Sequence, residues 1–185
     1  MNMTTPEMQL FKQCIYIVGL LILSATLGII VSITTNYFVD TVKWFLGLRT
    51  GSISFFQEAD FLFSPVLWLF LAVFILYYVR KICDITRWHG PADSIYAAHR
   101  TDNELDVRAG FGSTLAAFIS ASGGASVGQY GPLVHFGATM GSFLRQITGG
   151  VLTTDVFIGC GVAGAIAAGF NAPIAGLVFA HEAIL

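Results

Sequence analysis

Residues 124–142 read GASVGQYGPLVHFGATMGS. The stretch holds no Asp, Glu, Lys or Arg, yet five residues near its centre, Gly128-Gln129-Tyr130-Gly131-Pro132, oppose continuous helix. Glycine costs helix backbone entropy, and proline lacks the amide that a helix interior needs. A break of this kind in an apolar run predicts two helices, one over about Val107–Ala125 and one over about Tyr130–Ile147, with boundaries good to roughly 2–4 residues.

The rest of the chain explains why the break matters. Of the 185 residues, 55% are hydrophobic and 11% charged, and the mean hydropathy is +0.74. Soluble domains carry about 25% charged residues, so the composition specifies an integral membrane protein. The net charge of −2 and the lack of a basic patch argue against a nucleic-acid partner. Cys14, Cys83 and Cys160 are too scattered for a metal pair or disulfide framework and read as small apolar filler. Residues 13–39 carry no charge, about 27 in all, where roughly 20 cross a bilayer. This run exceeds a signal-peptide core and is read as a long, tilted, retained helix. Phe61–Val79 supplies a second run of about 19 residues.

The segment Lys81–Arg108 is polar, and within it Gly90-Pro91-Ala92-Asp93 is a helix-start signal for a helix too short to span. Beyond Asp155 a further apolar run is divided by Phe170-Asn171-Ala172-Pro173, where Asn171 is expected to cap a helix with Pro173 in its first turn. Arg80, Lys81, Arg87, Arg100 and Arg108 outnumber Lys43 and Arg49 of the first loop. The positive-inside rule therefore puts the former side, and the N-terminus, in the cytoplasm. His99 and Arg100 then belong to the solvated cytoplasmic surface. Gly137 and Gly141, Gly161, Ala165 and Gly169, and Gly112 and Ala116 form stripes at four-residue spacing, which suit close helix packing.

Helix N-termini carry unpaired amides and partial positive charge, and three starts occur here, near Gly90, Tyr130 and Asn171. Irregular backbone at membrane depth is tolerated where it is buried in protein or lines a watery cavity. Transporters aim such starts at anionic substrates. One terminus contributes about 0.3–2 kcal/mol, against several kcal/mol to dehydrate an ion. Two or three must therefore converge. The seat would be uncharged and weak enough to release its ion.

GQYGPLVHFGATMGSFL resembles the Gly-Arg/Lys-Glu-Gly-Pro segment of the CLC chloride channels and proton-coupled chloride transporters. GCGVAGAIAAGFNAPIAGLVFAHEAIL resembles the next family segment, built around Phe-Asn-Ala-Pro. A third motif, Gly-Ser-Gly-Ile-Pro-Glu, is weakly echoed by His89-Gly90-Pro91-Ala92-Asp93. The resemblance implies an all-α membrane fold, a CLC-like bundle of tilted, broken and re-entrant helices, of which this chain would be the first inverted repeat. It divides the chain into a cytoplasmic N-terminus over 1–12 and the N-terminal half of an anion-transport domain over 13–185. It further implies a homodimer with one pore per subunit, in an inner or cell membrane. Chloride is the transported ion, and no cofactor is needed. By motif position, Gly128, Gln129, Tyr130, Gly131 and Pro132 fall at the outer and central anion sites, and His89 and Gly90 at the inner one.

Two positions depart from the family pattern. The gating glutamate is replaced by Tyr130, a phenol of reference pKa about 10 that stays neutral at physiological pH. Tyr130 as gate neither mimics an anion nor cycles protons, so passive conduction is expected over proton-coupled exchange. The inner-site serine aligns with His89, which can donate one hydrogen bond when neutral. The family's later motifs are absent, and the sequence stops at Leu185 inside an apolar helix, which reads as a fragment or truncation.

A zinc-protease pattern at His181-Glu182 fails, because Leu185 stands where the second histidine belongs. Glu182 reads as structural, and no enzyme is expected. His135 reads as a packed, hydrogen-bonded histidine. A non-transporting scaffold remains the alternative from small-residue stripes alone, and chloride against fluoride or another anion stays open.

Overall fold

The computed structural model describes residues 6–49, 65–100, 105–128, 130–149 and 152–185. Among the described residues every regular element is a helix. They are α1 (Pro6–Arg49), α2 (Pro65–Ile82), α3 (Pro91–His99), α4 (Val107–Ser122), α5 (Tyr130–Ile147), α6 (Thr154–Phe170) and α7 (Pro173–Ala183).

The first helix runs on past the charge-free segment. No proline interrupts it after Pro6, so its 44 residues extend roughly 66 Å at about 1.5 Å each. That is twice a hydrocarbon core of about 30 Å. Lys43 and Arg49 thus lie on the helix itself rather than in a loop. Within it, Leu10–Gly47 is long and apolar enough to cross a membrane. Its large side chains, such as Phe11, Leu21, Ile22 and Tyr37, stand exposed. So do Phe70, Val73, Phe74 and Tyr77 on α2. Apolar surface this continuous suits a hydrocarbon solvent. Residues 61–64 of the second expected span lie outside the described residues, and its helix carries on to Ile82.

Helix α5 starts and ends where the sequence pattern puts it, and α4 stops at Ser122, three residues short of the expected Ala125. The most extensive contact in the molecule is between α5 and α6, and glycine makes it possible. A Cβ placed on Gly137 would strike the Gly161 carbonyl, one on Gly141 the Phe157 carbonyl, and one on Gly161 the Gly137 carbonyl. Such contacts are backbone on backbone, so no side chain can rotate away. On either side of this seam, Leu133, Ala138, Ile158, Val162 and Ala165 are fully buried. Helices α7 and α1 cover α6, while α4 covers α5 and α2 packs on α4. Gly112 admits Ile85 and Cys83 of the α2–α3 connection.

That connection is tied down by cations. Arg80 donates to the carbonyls of Ile85 (3.2 Å) and Thr86 (3.0 Å), and Arg108 donates to that of Ile82 at 2.8 Å. Asp106 caps α4 by accepting from the Ala109 amide at 3.1 Å. These contacts hold the α2–α3 connection against α2 and the start of α4.

Asn171 does not start α7. It ends α6 in the left-handed conformation, at φ 52° and ψ 39°, and Ala172 is the N-cap of α7. Asparagine tolerates left-handed backbone nearly as readily as it caps helix starts. Pro173 opens α7 as expected.

Candidate functional site: the meeting of three helix starts

Helices α3, α5 and α7 begin in proline-bearing first turns. The α3 and α5 starts adjoin, since a methyl group on Gly131 would lie 3.7 Å from Pro91 Cγ. The α5 start also reaches the α6–α7 break. Tyr130 stacks on Phe170, with ring centroids 4.0 Å apart and planes 19° from parallel. Phe170 is the last residue of α6, two before the Ala172 cap. The breaks that sequence reading marks separately thus form one neighbourhood.

Gly128 takes φ 70°, and among the described residues beyond its chain neighbours nothing lies within 4 Å of where a side chain would begin. A residue with a side chain would be strained at that φ whatever the space. Tyr130 is 39% exposed, Gly131 and Pro132 are half-buried, and Gln129 lies outside the described residues. The first-turn amides of a helix have no intrahelical acceptors, and no acidic residue occupies the first turn of α5.

The α3 start is different. The His89 amide donates to Ser113 Oγ at 2.9 Å, and the Gly90 amide donates to Asp93 Oδ2 at 2.8 Å. Both amides expected at an inner anion site are therefore held by protein oxygens in this structure. An anion there would have to displace Asp93. Sequence reading marks Asp93 as a first-turn acid favouring the helix, and that same preference seats it on the amide. Burial opposes its charge, but the Gly90 amide, the bond from Arg87 and the nearby charges of Arg87 and His89 outweigh that, so its pKa lies below the usual value. Arg87 pairs with the other carboxylate oxygen.

Behind this start lies a polar cluster that sequence reading missed in part. Ser94 Oγ and His135 Nδ1 share a 2.8 Å hydrogen bond, and both residues are buried. The reading of His135 as packed and hydrogen-bonded agrees with this. Its partner could not be named, because Ser94 is 41 residues away. The only signal for Ser94 and Ser113 is that polar side chains on apolar faces need partners.

The fold and site together define the class: an all-helical integral membrane protein with interrupted helices, in which the starts of α3 and α5 adjoin and Tyr130 stacks on the last residue of α6. The sequence profile of the voltage gated chloride channel family matches residues 71–185, and the chain belongs to that family. A ClcB-like chloride channel protein of Ralstonia nicotianae is 32% identical over 100 residues, covering 51% of this chain and 23% of that protein. Proteins named voltage-gated ClC-type chloride channel ClcB are 30% identical over 92 residues in Yersinia pseudotuberculosis (50% of this chain, 22% of that one) and over 98 residues in an Escherichia coli strain (53% and 23%). The chain thus spans about a quarter of the length of the relatives it matches. No solved structure matches it.

Proposed function

We propose that the full-length protein conducts chloride passively across a membrane, with Tyr130 as its gate and the starts of α5, α7 and, once Asp93 is displaced, α3 as the anion's seat. The observation that supports this reading is the Tyr130–Phe170 stack, in which the ring at the start of α5 lies against the last residue of α6, just before α7. A ring held there closes the approach when stacked and opens it when turned away, and neither state needs a proton. Gly128 and Gly131 let backbone come close to the ion, and Pro132 fixes the start of the helix. Each helix terminus contributes about 0.3–2 kcal/mol, so the site is shallow enough to release what it binds. His89 and Gly90 contribute to an inner site only in the state with Asp93 displaced.

In keeping with this reading, the chain supplies the first of two inverted halves, and the functional unit is a homodimer in a cell membrane with its N-terminus in the cytoplasm. The reading is tested by chloride flux from liposomes carrying the full-length gene product, with and without an imposed proton gradient. Passive conduction predicts chloride efflux that neither drives proton uptake nor is driven by a proton gradient. Tyr130→Glu is expected to add proton movement. Proton-coupled exchange by the unmodified protein would overturn the passive reading, and absence of anion flux in a folded dimer would favour a scaffold.

A further inference from the structure

Where α2 begins and α4 stops, both helices meet the end of α1. Phe45 of α1, Trp68 and Ala72 of α2, and Phe118 and Ser122 of α4 line a cavity of about 100 Å³ there. Phe45 stands edge-on to Trp68 and to Phe118, with ring centroids 6.4 and 6.3 Å away. Leu71 and Ile75 line the cavity too and are exposed, so it opens on the apolar outer surface. Two polar groups in these walls are unmet. The Trp68 indole N–H and the Ser122 hydroxyl are buried, with no hydrogen-bond partner among the described residues, and Ser122 is 8% exposed. A helical hydroxyl commonly turns back to a carbonyl of its own helix, as Thr114 of the same helix does to Gly110 at 3.0 Å. Ser122 does not. A larger cavity of about 340 Å³ shares the Phe118 wall. Its threonines, Thr34, Thr41 and Thr114, all bond back to their own helices. The buried unmet groups therefore belong to the smaller cavity, and buried polar groups are rarely left so.

We propose that this cavity binds a glycerolipid of the surrounding bilayer, with an ester carbonyl accepting from Trp68 Nε1 and Ser122 Oγ and the acyl chain leaving past Leu71 and Ile75. An indole N–H only donates, and a hydroxyl can donate as well, so the group that satisfies both is an acceptor oxygen. The position in the fold selects its source. Trp68 lies in the first turn of α2 and Ser122 in the last of α4, and Phe45 lies near the Gly47 end of the apolar run Leu10–Gly47. Three helix ends on one side of the molecule mark the membrane–water boundary, where tryptophan is enriched and where glycerolipids carry their ester groups. The size agrees. One water needs roughly 10–15 Å³, so the cavity takes a carbonyl with its first methylenes and leaves the rest of the lipid outside. A cluster of waters would ask for about 2–4 polar partners per molecule, which walls of Phe45, Leu71, Ala72, Ile75 and Phe118 do not offer.

The test uses the full-length protein with isotope-labelled tryptophan, followed by NMR in nanodiscs of dioleoyl phosphatidylglycerol and, separately, of its diether analogue. The two lipids share a headgroup and chains, and only the first has carbonyls. The Trp68 indole signal, assigned by its loss in Trp68→Phe, is expected downfield in the ester lipid relative to the ether lipid, as for an N–H that gains a carbonyl acceptor. With carbonyl-labelled ester lipid, magnetisation is expected to pass from the carbonyl to the Trp68 indole nitrogen. That transfer should weaken several-fold in Ser122→Ala, which removes the second donor and leaves the wall in place. An indole signal at the same position in both lipids would mean that water or another part of the chain is the acceptor, and it would overturn the proposal. So would transfer that is absent in the parent or undiminished in Ser122→Ala. The comparison of the two lipids needs no substitution at the site, so it decides the matter even where a variant fails to fold.

Discussion

The seam between α5 and α6 and the meeting of the helix starts are built from the same residue types to opposite ends. At the seam, Gly137, Gly141 and Gly161 face carbonyls so closely that a Cβ on any of them would overlap backbone. At the starts, among the described residues, Gly128 and Gly90 have nothing within 4 Å of a hypothetical side chain, and Gly131 has only Pro91. Glycine brings two helices together in the first place and leaves room beside the backbone in the second, although at Gly90 the amide itself is taken by Asp93. The seam positions the starts, so damage to the seam should abolish folding, while damage at the starts should alter conduction and leave the fold intact.

The largest effect is therefore expected from Gly161→Leu or Gly141→Leu. Overpacking a core costs about 1–3 kcal/mol where side chains can shift, and here the obstacle is backbone. Loss of the monodisperse full-length protein in detergent, scored by size-exclusion chromatography, is the expected outcome. Gly128→Ala should leave that profile nearly unchanged, costing about 1 kcal/mol for its positive φ. Equal damage by the two changes would erase the contrast between the regions.

Much of this contrast was legible in the sequence. The break at Gly128–Pro132 gave the start of α5 and, within a few residues, the end of α4, because glycine and proline act locally. The separate stripes of Gly137 and Gly141 and of Gly161, Ala165 and Gly169 pointed to close packing, though not to which helices meet. Asn171 was misread because asparagine serves both ends of helices, and the choice depends on a backbone angle that sequence does not print. Engagement of the His89 and Gly90 amides was hidden for two reasons. Ser113 comes from α4, 24 residues away, and Asp93 has two roles open to it, favouring the helix start or occupying it. Charge does not limit α1: Asp40 and Lys43 lie within a helix that continues to Arg49.

Next in size is Ser113→Ala. It leaves the His89 amide without its acceptor in a partly buried place, which costs about 1–3 kcal/mol. Thermal melting of the full-length protein should fall by several degrees. Conduction should change as well, since the lead-in to α3 is then held less firmly. An unchanged melting temperature would mean that the amide finds another acceptor, and that Ser113 does not fix the α3 start.

The stack at the gate should matter more for conduction than for stability. Phe170→Ala removes an aromatic pair worth about 0.5–1.5 kcal/mol beyond buried area, from a residue 51% exposed. Melting should shift little, while chloride flux should change several-fold as Tyr130 loses its resting place. Tyr130→Phe keeps the stack and should leave flux near the parent value. If Tyr130→Phe alters flux as much as Phe170→Ala does, the hydroxyl and not the stacking is what governs passage.

The smallest effect concerns Asp93, which lies outside the membrane-spanning helices and whose carboxyl is held below its usual pKa. A group with a depressed folded pKa stabilises the fold fully above its unfolded value, near 4. That contribution fades as pH falls through the folded pKa. The parent should therefore lose slightly more stability than Asp93→Asn between pH 5 and 3, and the two should run parallel above pH 6. The magnitude stays small because Arg87 is 67% exposed, where water and salt screen its pairing. At neutral pH, Asp93→Asn should strengthen anion binding at the start of α3, because the seat on Gly90 loses its resident charge. Halide titration of the full-length protein by calorimetry would read this as a lower dissociation constant. A constant equal to the parent's would mean that Asp93 serves the helix and does not compete for its amide.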